Sequence, residues 1–487
     1  MAASRQAQLR QAVRLIEDDP DESLRIANRL LADEPDDPLA LFVAARIYSK
    51  SNSMGVALHL YRRVVQVAPK RHEGWNDYGM CLSGLQQFKE SRDAYLEACK
   101  LDPKNSAYIA NVAMTYLEEC QFPLALRWAE KALAIDPEQV GAIQSRGFAS
   151  LALGDWKTGW AGYDRALGGK FRKEVQLANE PRWDGKPVGT LFVYGEQGLG
   201  DEIMMASCVP DVARDVGKVV LECDPRLAGL FKRSFPQCDV YGTRRVQNVD
   251  WPAKYTIDAG EAIGALPKYY RPTPESCPGT PYLVADPERR LQWRALLDSM
   301  GPKPKIGICW SGGKRWTNAA GRNVGLEAFK PLMDAVDADY VSLQYQDGID
   351  EITRTGFHVK HWPHATQTQD YDDVAALISE LDLVIGIHTA AHHLAGALGV
   401  PGIVLVPSKG LWIWNLDPMP WYRSARVFRQ REGEPWLKTM QRLASDNSYL
   451  GRVRSERGGG LSRVLSVGGG NEQATSGAYA PEPAIAG

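Results

Sequence analysis

The chain has 487 residues, enough for two or three domains, and its 57 basic and 59 acidic side chains give a net charge of −2. This balance argues against nucleic acid as a partner and against a polybasic membrane-binding patch. No segment has the uninterrupted apolar length of a membrane span, and the first residues lack the apolar core of a secretory signal. The eight cysteines form no C-x-x-C pair, which predicts reduced, mostly buried thiols in a cytoplasmic protein.

The first third of the chain carries a constant proline spacing of 34 residues, at Pro35, Pro69, Pro103 and Pro137. Two columns of small residues keep the same register: Ala45, Gly79, Ala113 and Gly147, then Ser23, Ala57, Ser91, Ala125 and Gly159. Small residues let two antiparallel helices approach closely, and proline ends the second helix. The pattern resembles the tetratricopeptide repeat and covers residues 4–173 as five units, the first and last atypical.

This resemblance implies an α-solenoid whose concave surface binds a protein or peptide. The alternative is a scaffold that only supports the rest of the chain. No basic cluster marks the surface, so the sequence does not indicate the chemistry of its ligand.

The next segment, residues 181–285, is predicted to form a first α/β lobe. Residues 190–194 form a buried strand that runs into a glycine-rich turn and a helix over 203–212. Strand, glycine turn and helix open a doubly wound α/β unit. Further strands are predicted at 218–223 and 239–241, and a proline-dense linker at 267–287.

A second lobe is predicted over residues 303–447. Its strands are expected at 305–310, 340–344, 357–360, 383–387 and 400–406. Two doubly wound Rossmann-like lobes facing a cleft form the GT-B arrangement, which several unrelated activities share. Residues 451–487 are rich in Gly, Ser, Ala and Arg without periodicity and are predicted to be a disordered tail.

Three segments carry a more specific resemblance: GEQGLGDEIMMAS (195–207), LDLVIGIHTAAHHLAGALGVP (381–401) and WYRSARVFRQ (421–430). In this order, behind the repeats, they resemble bacterial proteins that join tetratricopeptide repeats to a GT-B glycosyltransferase domain. That domain is related to the ADP-heptose–lipopolysaccharide heptosyltransferases, glycosyltransferase family 9. The resemblance covers roughly residues 181–445.

The resemblance implies a metal-independent glycosyltransferase that moves a sugar from a nucleotide-sugar donor, its substrate, without a further cofactor. By analogy with O-GlcNAc transferases, the acceptor is expected to be a protein recruited by the repeats. Two alternatives stay open: a catalytically degenerate scaffold whose repeats mediate protein–protein interaction, and a transferase acting on a saccharide or lipid-linked acceptor.

The resemblance implies that Asp201 is the general base that takes the proton of the acceptor hydroxyl, with Glu202 as a lesser option. The loop that carries Gly198 and Gly200 is expected to face the cleft. Electrostatics alone also favour an acidic residue at a helix start, so Asp201 has a purely structural alternative.

The donor's diphosphate gains negative charge as it leaves, and a helix N-terminus or nearby cations can stabilise that charge. The predicted donor-binding residues are Gly198, Gly200, Ser311, Gly312, Lys314, Arg322, Gln344, His388, Thr389, Ala390 and His393. Thr389 is alternatively a helix cap, His393 a core histidine and Lys314 a solvated loop residue. His388 stands where the family has Asp, which puts the donor's identity in question.

Three further patterns of polar and aromatic residues have simpler structural explanations. His358, His361 and His364 are spaced by three but straddle a strand end and a loop, so no metal site is expected. Asp370-Tyr371-Asp372 imitates a metal-binding D-x-D, but it precedes a helix, which favours capping. The aromatic run of Trp412, Trp414 and Trp421 is expected to pack in the core or a lobe interface, with stacking on a base or sugar as the alternative.

Overall fold

The computed structural model describes residues 2–168, 172, 174–177, 180–244, 246, 249–313, 322–345, 348–367, 370–446, 448 and 450. The predicted tail at 451–487 and the predicted donor-binding residue Lys314 lie outside the described residues. All eight cysteines are described and free, and all except Cys120 are buried. No helix in these ranges is long and apolar enough to cross a membrane.

The N-terminal part is a helical solenoid of antiparallel helix pairs. Its helices are α1 (Ala2–Asp18), α2 (Pro20–Asp33), α3 (Pro38–Lys50), α4 (Met54–Val67), α5 (His72–Gly84), α6 (Phe88–Leu101), α7 (Ser106–Glu118), α8 (Phe122–Ile135), α9 (Val140–Leu153) and α10 (Trp156–Asp164). The periodic prolines follow the ends of α2, α4, α6 and α8, where proline cannot continue a helix. The proline spacing therefore reports the length of one helix pair.

The small columns lie where the two helices of a pair touch. The Ser23 hydroxyl donates to the Ala12 carbonyl at 2.7 Å, and the Ser91 hydroxyl donates to the Gly79 carbonyl at 2.8 Å. In the last pair, a Cβ on Gly147 would lie 2.7 Å from the Gly162 backbone. Backbones at this distance leave no room for a side chain, which explains why the columns hold only small residues.

A four-stranded parallel sheet follows, with strand order β3-β2-β1-β4. Its strands are β1 (Thr190–Tyr194), β2 (Lys218–Glu222), β3 (Asp239–Tyr241) and β4 (Ala259–Ala262). Its helices are α11 (Leu199–Met205), α12 (Val209–Asp215), α13 (Ala228–Ser234) and α14 (Pro267–Tyr270), followed by α15 (Pro287–Asp298). The helix predicted over 203–212 begins earlier and is divided by a short 3-10 turn.

A six-stranded parallel sheet forms the second α/β unit, with strand order β10-β9-β8-β5-β6-β7. Its strands are β5 (Lys305–Cys309), β6 (Asp339–Ser342), β7 (Val359–Lys360), β8 (Leu383–Ile387), β9 (Gly402–Val406) and β10 (Ala425–Arg429). Its helices are α16 (Lys330–Ala335), α17 (Ile349–Thr355), α18 (Pro363–Thr366), α19 (Tyr371–Ser379), α20 (Ala390–Leu398) and α21 (Trp436–Ser445). This is the strand order of a dinucleotide-binding Rossmann sheet.

Both sheets contain a topological switch point, at which successive strands stop being added on one side of the first strand and are added on its other side. In the first sheet β1 lies between β2 and β4, and in the second β5 lies between β6 and β8. Open α/β sheets bind ligands beyond the carboxyl ends of the strands at such a point. The predicted α-solenoid and α/β region with two parallel sheets are therefore present, and the arrangement is consistent with a GT-B-like fold.

The last repeat helix packs against both α/β units. Trp156 stacks on Trp421 with ring centroids 5.3 Å apart, and Trp160 meets Trp412 edge-on at 5.8 Å. The Trp160 indole also donates to the Arg271 carbonyl at 2.6 Å. Two rings of the C-terminal aromatic run thus pack on the repeat array, a contact that the sequence did not predict.

Candidate functional site

The starts of two helices meet between the two sheets. Helix α11 follows β1 and helix α20 follows β8, so each begins at the switch point of its sheet. A Cβ on Gly200 would lie 2.9 Å from Cδ2 of His393 and 3.4 Å from Cα of Ala390. The absence of a side chain at Gly200 therefore allows this approach, and three predicted site residues come together here.

Asp201 lies half-buried in the first turn of α11 and accepts a hydrogen bond from the backbone N–H of Gly198. Burial, reinforced by the negative charge of Glu196, raises the pKa of its carboxyl to about 6. The guanidinium groups of Arg322 and Arg172 oppose that rise. The carboxyl can therefore exchange a proton close to neutral pH.

Glu202, the neighbouring carboxylate, is held inside the first α/β unit. One oxygen accepts from the Asp224 N–H at 2.7 Å, and the other pairs with Arg244 at 2.6 Å. A Cβ on Gly195 would lie 2.6 Å from this carboxyl, so no space is left around it. Burial raises the pKa of Glu202 to about 7. Its hydrogen bonds tie α11 to the segments that follow β2 and β3.

Arg322 supplies positive charge on the opposite side of the site. Its guanidinium donates to the His388 carbonyl at the end of β8. Burial lowers the pKa of Arg322, and Asp201 is among the groups that oppose this. No carboxylate in the described ranges lies within ion-pair distance of its guanidinium. A partly buried cation with unused donors is suited to an anionic ligand.

Gln344 fixes the loop that follows β5. Its amide nitrogen donates to the Ser311 carbonyl at 3.0 Å and to the Ser311 hydroxyl at 2.6 Å, and its amide oxygen accepts from two backbone N–H groups. A Cβ on Gly312 would lie 2.6 Å from Cγ2 of Thr389. The loops after β5 and β8 are therefore in direct contact at the switch point.

Thr389 is the residue before α20, and its side chain makes no capping hydrogen bond. Its hydroxyl lies 3.6 Å from Sγ of Cys309 instead. The capping alternative for Thr389 is thus not observed. The start of α20 is therefore not capped by this side chain, and a helix start favours negative charge.

The histidines of this region are buried and neutral. Burial lowers the pKa of His393 to about 3 and that of His392 to about 4, and it holds the pKa of His388 well below its usual range. Nδ1 of His393 lies 3.1 Å from the Tyr422 hydroxyl, and its ring packs on Trp414. His393 therefore has the surroundings of a core histidine while also touching Gly200.

Four residues that pack near Asp201 had no role predicted from the sequence: Tyr163, Arg172, Glu196 and Gln197. Nη2 of Arg172 pairs with Oε1 of Glu196 at 2.9 Å, and the Tyr163 hydroxyl donates to Oε1 of Gln197 at 2.7 Å. Glu196 and Gln197 lie inside the glycine-rich segment, so their position was a usable signal. No sequence signal links Tyr163 and Arg172 to this loop, because the contact is tertiary.

The D-x-D segment at 370–372 and His364 both contact other side chains of the protein. Asp370 caps α19 by accepting from the Asp372 N–H, and Asp372 pairs with Arg233 at 2.8 Å. The ring of His364 stacks on Trp293. Capping and ion pairing thus describe the D-x-D segment in this structure.

The repeat array has its own concavity, of about 290 Å³, between its odd-numbered helices. Phe42, Arg46, Arg71, Asp77 and Tyr108 are among the residues that line it. Aromatic rings and charges of both signs can bind an extended peptide.

Residues 72–105 match the family model of the tetratricopeptide repeat. Among solved structures, MamA from Desulfovibrio magneticus RS-1 is 18% identical, with a TM-score of 0.31, over 33% of this chain and 92% of that chain. The pilF protein of Pseudomonas aeruginosa is 17% identical, with a TM-score of 0.32, over 34% of this chain and 75% of that chain.

Two curated relatives were found. The "Probable UDP-N-acetylglucosamine--peptide N-acetylglucosaminyltransferase SPINDLY" of Hordeum vulgare is 29% identical over 114 residues, 23% of this chain and 12% of that protein. "Protein FlbA" of Caulobacter vibrioides is 31% identical over 422 residues, which cover 81% of this chain and 70% of that protein. This likeness extends over most of both proteins, so the chain belongs to the FlbA family.

Proposed function

We propose that the protein is a glycosyltransferase that moves a sugar from a nucleotide-sugar donor to a protein acceptor recruited by the repeat array. The observation that carries this proposal is the position of Arg322. Its guanidinium has no carboxylate partner among the described residues, and it lies at the start of α20, facing Asp201. A diphosphate leaving group and an acceptor base require this pairing of cation and carboxylate.

Two resemblances to other proteins support this assignment. The relative SPINDLY is named a probable UDP-N-acetylglucosamine–peptide N-acetylglucosaminyltransferase, which combines a nucleotide sugar with a peptide acceptor. The three segments described above resemble family 9 glycosyltransferases, and they contain Asp201, Thr389 and Tyr422.

In the proposed reaction, Asp201 takes the proton of the acceptor hydroxyl as its oxygen attacks the anomeric carbon. The bond between that carbon and the phosphate oxygen breaks, and the nucleoside diphosphate leaves with the bonding electrons. Arg322 and the start of α20 stabilise its added negative charge. The resemblance favours inversion at the anomeric carbon.

The other predicted residues have supporting roles in this proposal. Gln344 holds Ser311 and Gly312 in position for a phosphate, and His388 and Thr389 present the start of α20. Gly198 orients Asp201 through its backbone N–H.

Gly200, Ala390 and His393 form the contact between α11 and α20 beside Asp201. Glu202 acts through its bonds to Asp224 and Arg244 rather than as the base.

The acceptor is proposed to bind along the concavity that Phe42, Arg71 and Tyr108 line. We place the protein in the cytoplasm, where its free cysteines stay reduced. Because Arg322 and a helix start supply the positive charge, the reaction is proposed to need no metal, and activity should persist in EDTA.

The test is a panel of UDP-, GDP-, ADP- and dTDP-sugars, measured by calorimetric binding and by donor hydrolysis. With the donor that binds, Arg322→Ala should lower kcat about 10²- to 10³-fold, because it removes a charge-assisted contact to the leaving group. Arg322→Lys should retain part of the activity, because it keeps the charge but loses the planar donors.

Arg354→Ala is the matched control, since Arg354 lies exposed in the same α/β unit and pairs with Glu327. It should leave binding and hydrolysis unchanged. Failure of every nucleotide sugar to bind would contradict the proposal and favour the scaffold alternative.

A further inference from the structure

The loop between β1 and α11 is held in part by residues outside its own lobe. Residues 195–198 form no helix or strand. Within the lobe, the backbone N–H of Gly195 donates to the Glu222 carbonyl and Arg244 donates to the Gln197 carbonyl at 2.7 Å. Two side chains of the loop, Glu196 and Gln197, contact Arg172 and Tyr163 at the end of the repeat array.

Tyr163, in α10, is the first of these outside contacts. Its buried hydroxyl donates to Oε1 of Gln197 at 2.7 Å. Its ring lies under the Arg172 guanidinium at 4.1 Å, and its backbone carbonyl accepts from Nη1 of Arg172 at 2.5 Å. Tyr163 therefore contacts both the loop and the second anchoring residue.

Arg172 is the second contact. Its Nε and Nη2 donate to Oε1 of Glu196 at 3.0 and 2.9 Å, with both side chains almost fully buried. The other oxygen of Glu196 lies 3.5 Å from the Gly264 N–H, beyond the end of β4. Glu196 thus links the loop to the neighbouring strand end and to Arg172.

The helix that carries Tyr163 is itself held in place from two sides. Trp160 bonds to the Arg271 carbonyl, and Trp156 stacks on Trp421. These contacts fix α10 against both α/β units, so Tyr163 is a rigid anchor for the loop.

We infer that Tyr163 and Arg172, at the end of the repeat array, are positioning residues of the candidate active site, because they hold the loop that places Asp201. This inference rests on the proposed function in one respect, the role of Asp201 as base. The groups that face Asp201 are Glu196, Arg172, Arg322, Tyr163 and Tyr422.

The first test is Tyr163→Phe in the full chain, which removes the hydroxyl and keeps the ring beneath Arg172. Hydrogen–deuterium exchange should become faster in the peptide that covers residues 195–201 and stay unchanged in α1–α8. In the assay, kcat should fall about tenfold while the KM for the donor stays constant, because only the geometry of the loop is loosened.

Tyr340→Phe is the matched control. The Tyr340 hydroxyl is buried and donates to the carbonyls of Leu332 and Val336, with no contact to the loop. This variant should change neither the exchange of residues 195–201 nor kcat.

A second variant, Glu196→Gln, tests the electrostatic link without enlarging or emptying the site. Removing the negative charge beside Asp201 lowers the pKa of the Asp201 carboxyl, so the acidic limb of the pH–activity profile should move to lower pH. A merely structural role for Glu196 would leave that limb in place.

The outcomes separate this inference from the proposed function. If Tyr163→Phe exchanges like the wild type at residues 195–201, the inference is overturned even when the enzyme is active. If the exchange increases and no donor is turned over, the anchoring stands and the proposed function fails.

Discussion

Asp201 and Glu202 are adjacent carboxylates with different surroundings. Glu202 is enclosed and bonded to Arg244, whereas Asp201 is half-buried and interacts electrostatically with Arg322. Pairs of titratable groups in contrasting environments commonly divide into a reacting group and a supporting group. The sequence predicted both as candidates, and in the proposed function the reacting role belongs to Asp201 because Glu202 is enclosed by its partners.

The pH dependence of activity follows from the raised pKa of Asp201. A general base must be deprotonated, so kcat/KM should be constant above about pH 6 and fall about tenfold per pH unit below it. A pH–rate profile of donor hydrolysis or transfer measures this limb. A profile that stays flat down to pH 4.5 would contradict the assignment.

The same carboxyl should reduce stability at neutral pH. Its pKa is about 6 in the folded chain against an ordinary 3.8, so the folded state binds more protons between these values and stability falls as pH rises. Asp201→Asn should therefore raise Tm at pH 7.5, with the gain lost below about pH 3.8. Thermal unfolding of the wild type and the variant, at pH 7.5 and below about pH 3.8, measures this difference in Tm. The same variant should have lost catalysis.

At the scale of elements, helix contacts in the array depend on glycine. Gly147 in α9 lies against Gly162 in α10, where an added Cβ would meet backbone atoms at 2.7 Å. Because α10 carries Tyr163, the spacing of this pair also sets the position of the loop anchor.

Gly147→Ala should therefore destabilise the protein by about 1–3 kcal/mol, since backbone atoms cannot move aside as a flexible side chain would. Denaturant unfolding measures the loss. Gly55→Ala is the control, because a Cβ there meets nothing within 4 Å in α4, and it should be neutral or slightly stabilising. Equal effects of the two substitutions would contradict the packing argument.

Strands β4 and β10 show where sequence patterns failed. Ala259–Ala262 has no β-branched or aromatic residue, and it is a buried strand because it pairs with β1. Ala425–Arg429 lies within a segment interpreted as an aromatic signature, and it pairs with β9. For β4, pairing with a neighbour, rather than local propensity, determines the strand.

At the scale of the whole molecule, the last repeat is part of the helical array and also packs in the core of the α/β region. Removing residues 1–173 would remove Trp156, Trp160, Tyr163 and Arg172, which complete the packing of the α/β region. Such a deletion therefore cannot separate acceptor recruitment from the integrity of the site.

Deleting residues 1–67 provides a cleaner separation, because it removes Phe42 and Arg46 from the concavity and leaves α5–α10. Donor binding and donor hydrolysis should be unchanged, while transfer of labelled sugar to protein should fall about tenfold or more. Retained transfer would show that the first two helix pairs do not recruit the acceptor.

The sequence alone determined the solenoid and most of the parallel strands, because proline spacing, small columns and buried apolar runs are local consequences of helix and strand geometry. It also placed Asp201 and Thr389 just after predicted strands. Only the tertiary structure decided that Gly200 meets His393, that Glu202 is enclosed, and that Tyr163 holds the loop of Asp201. These contacts join residues that are far apart in the chain, and a single sequence does not indicate which distant residues come together on folding.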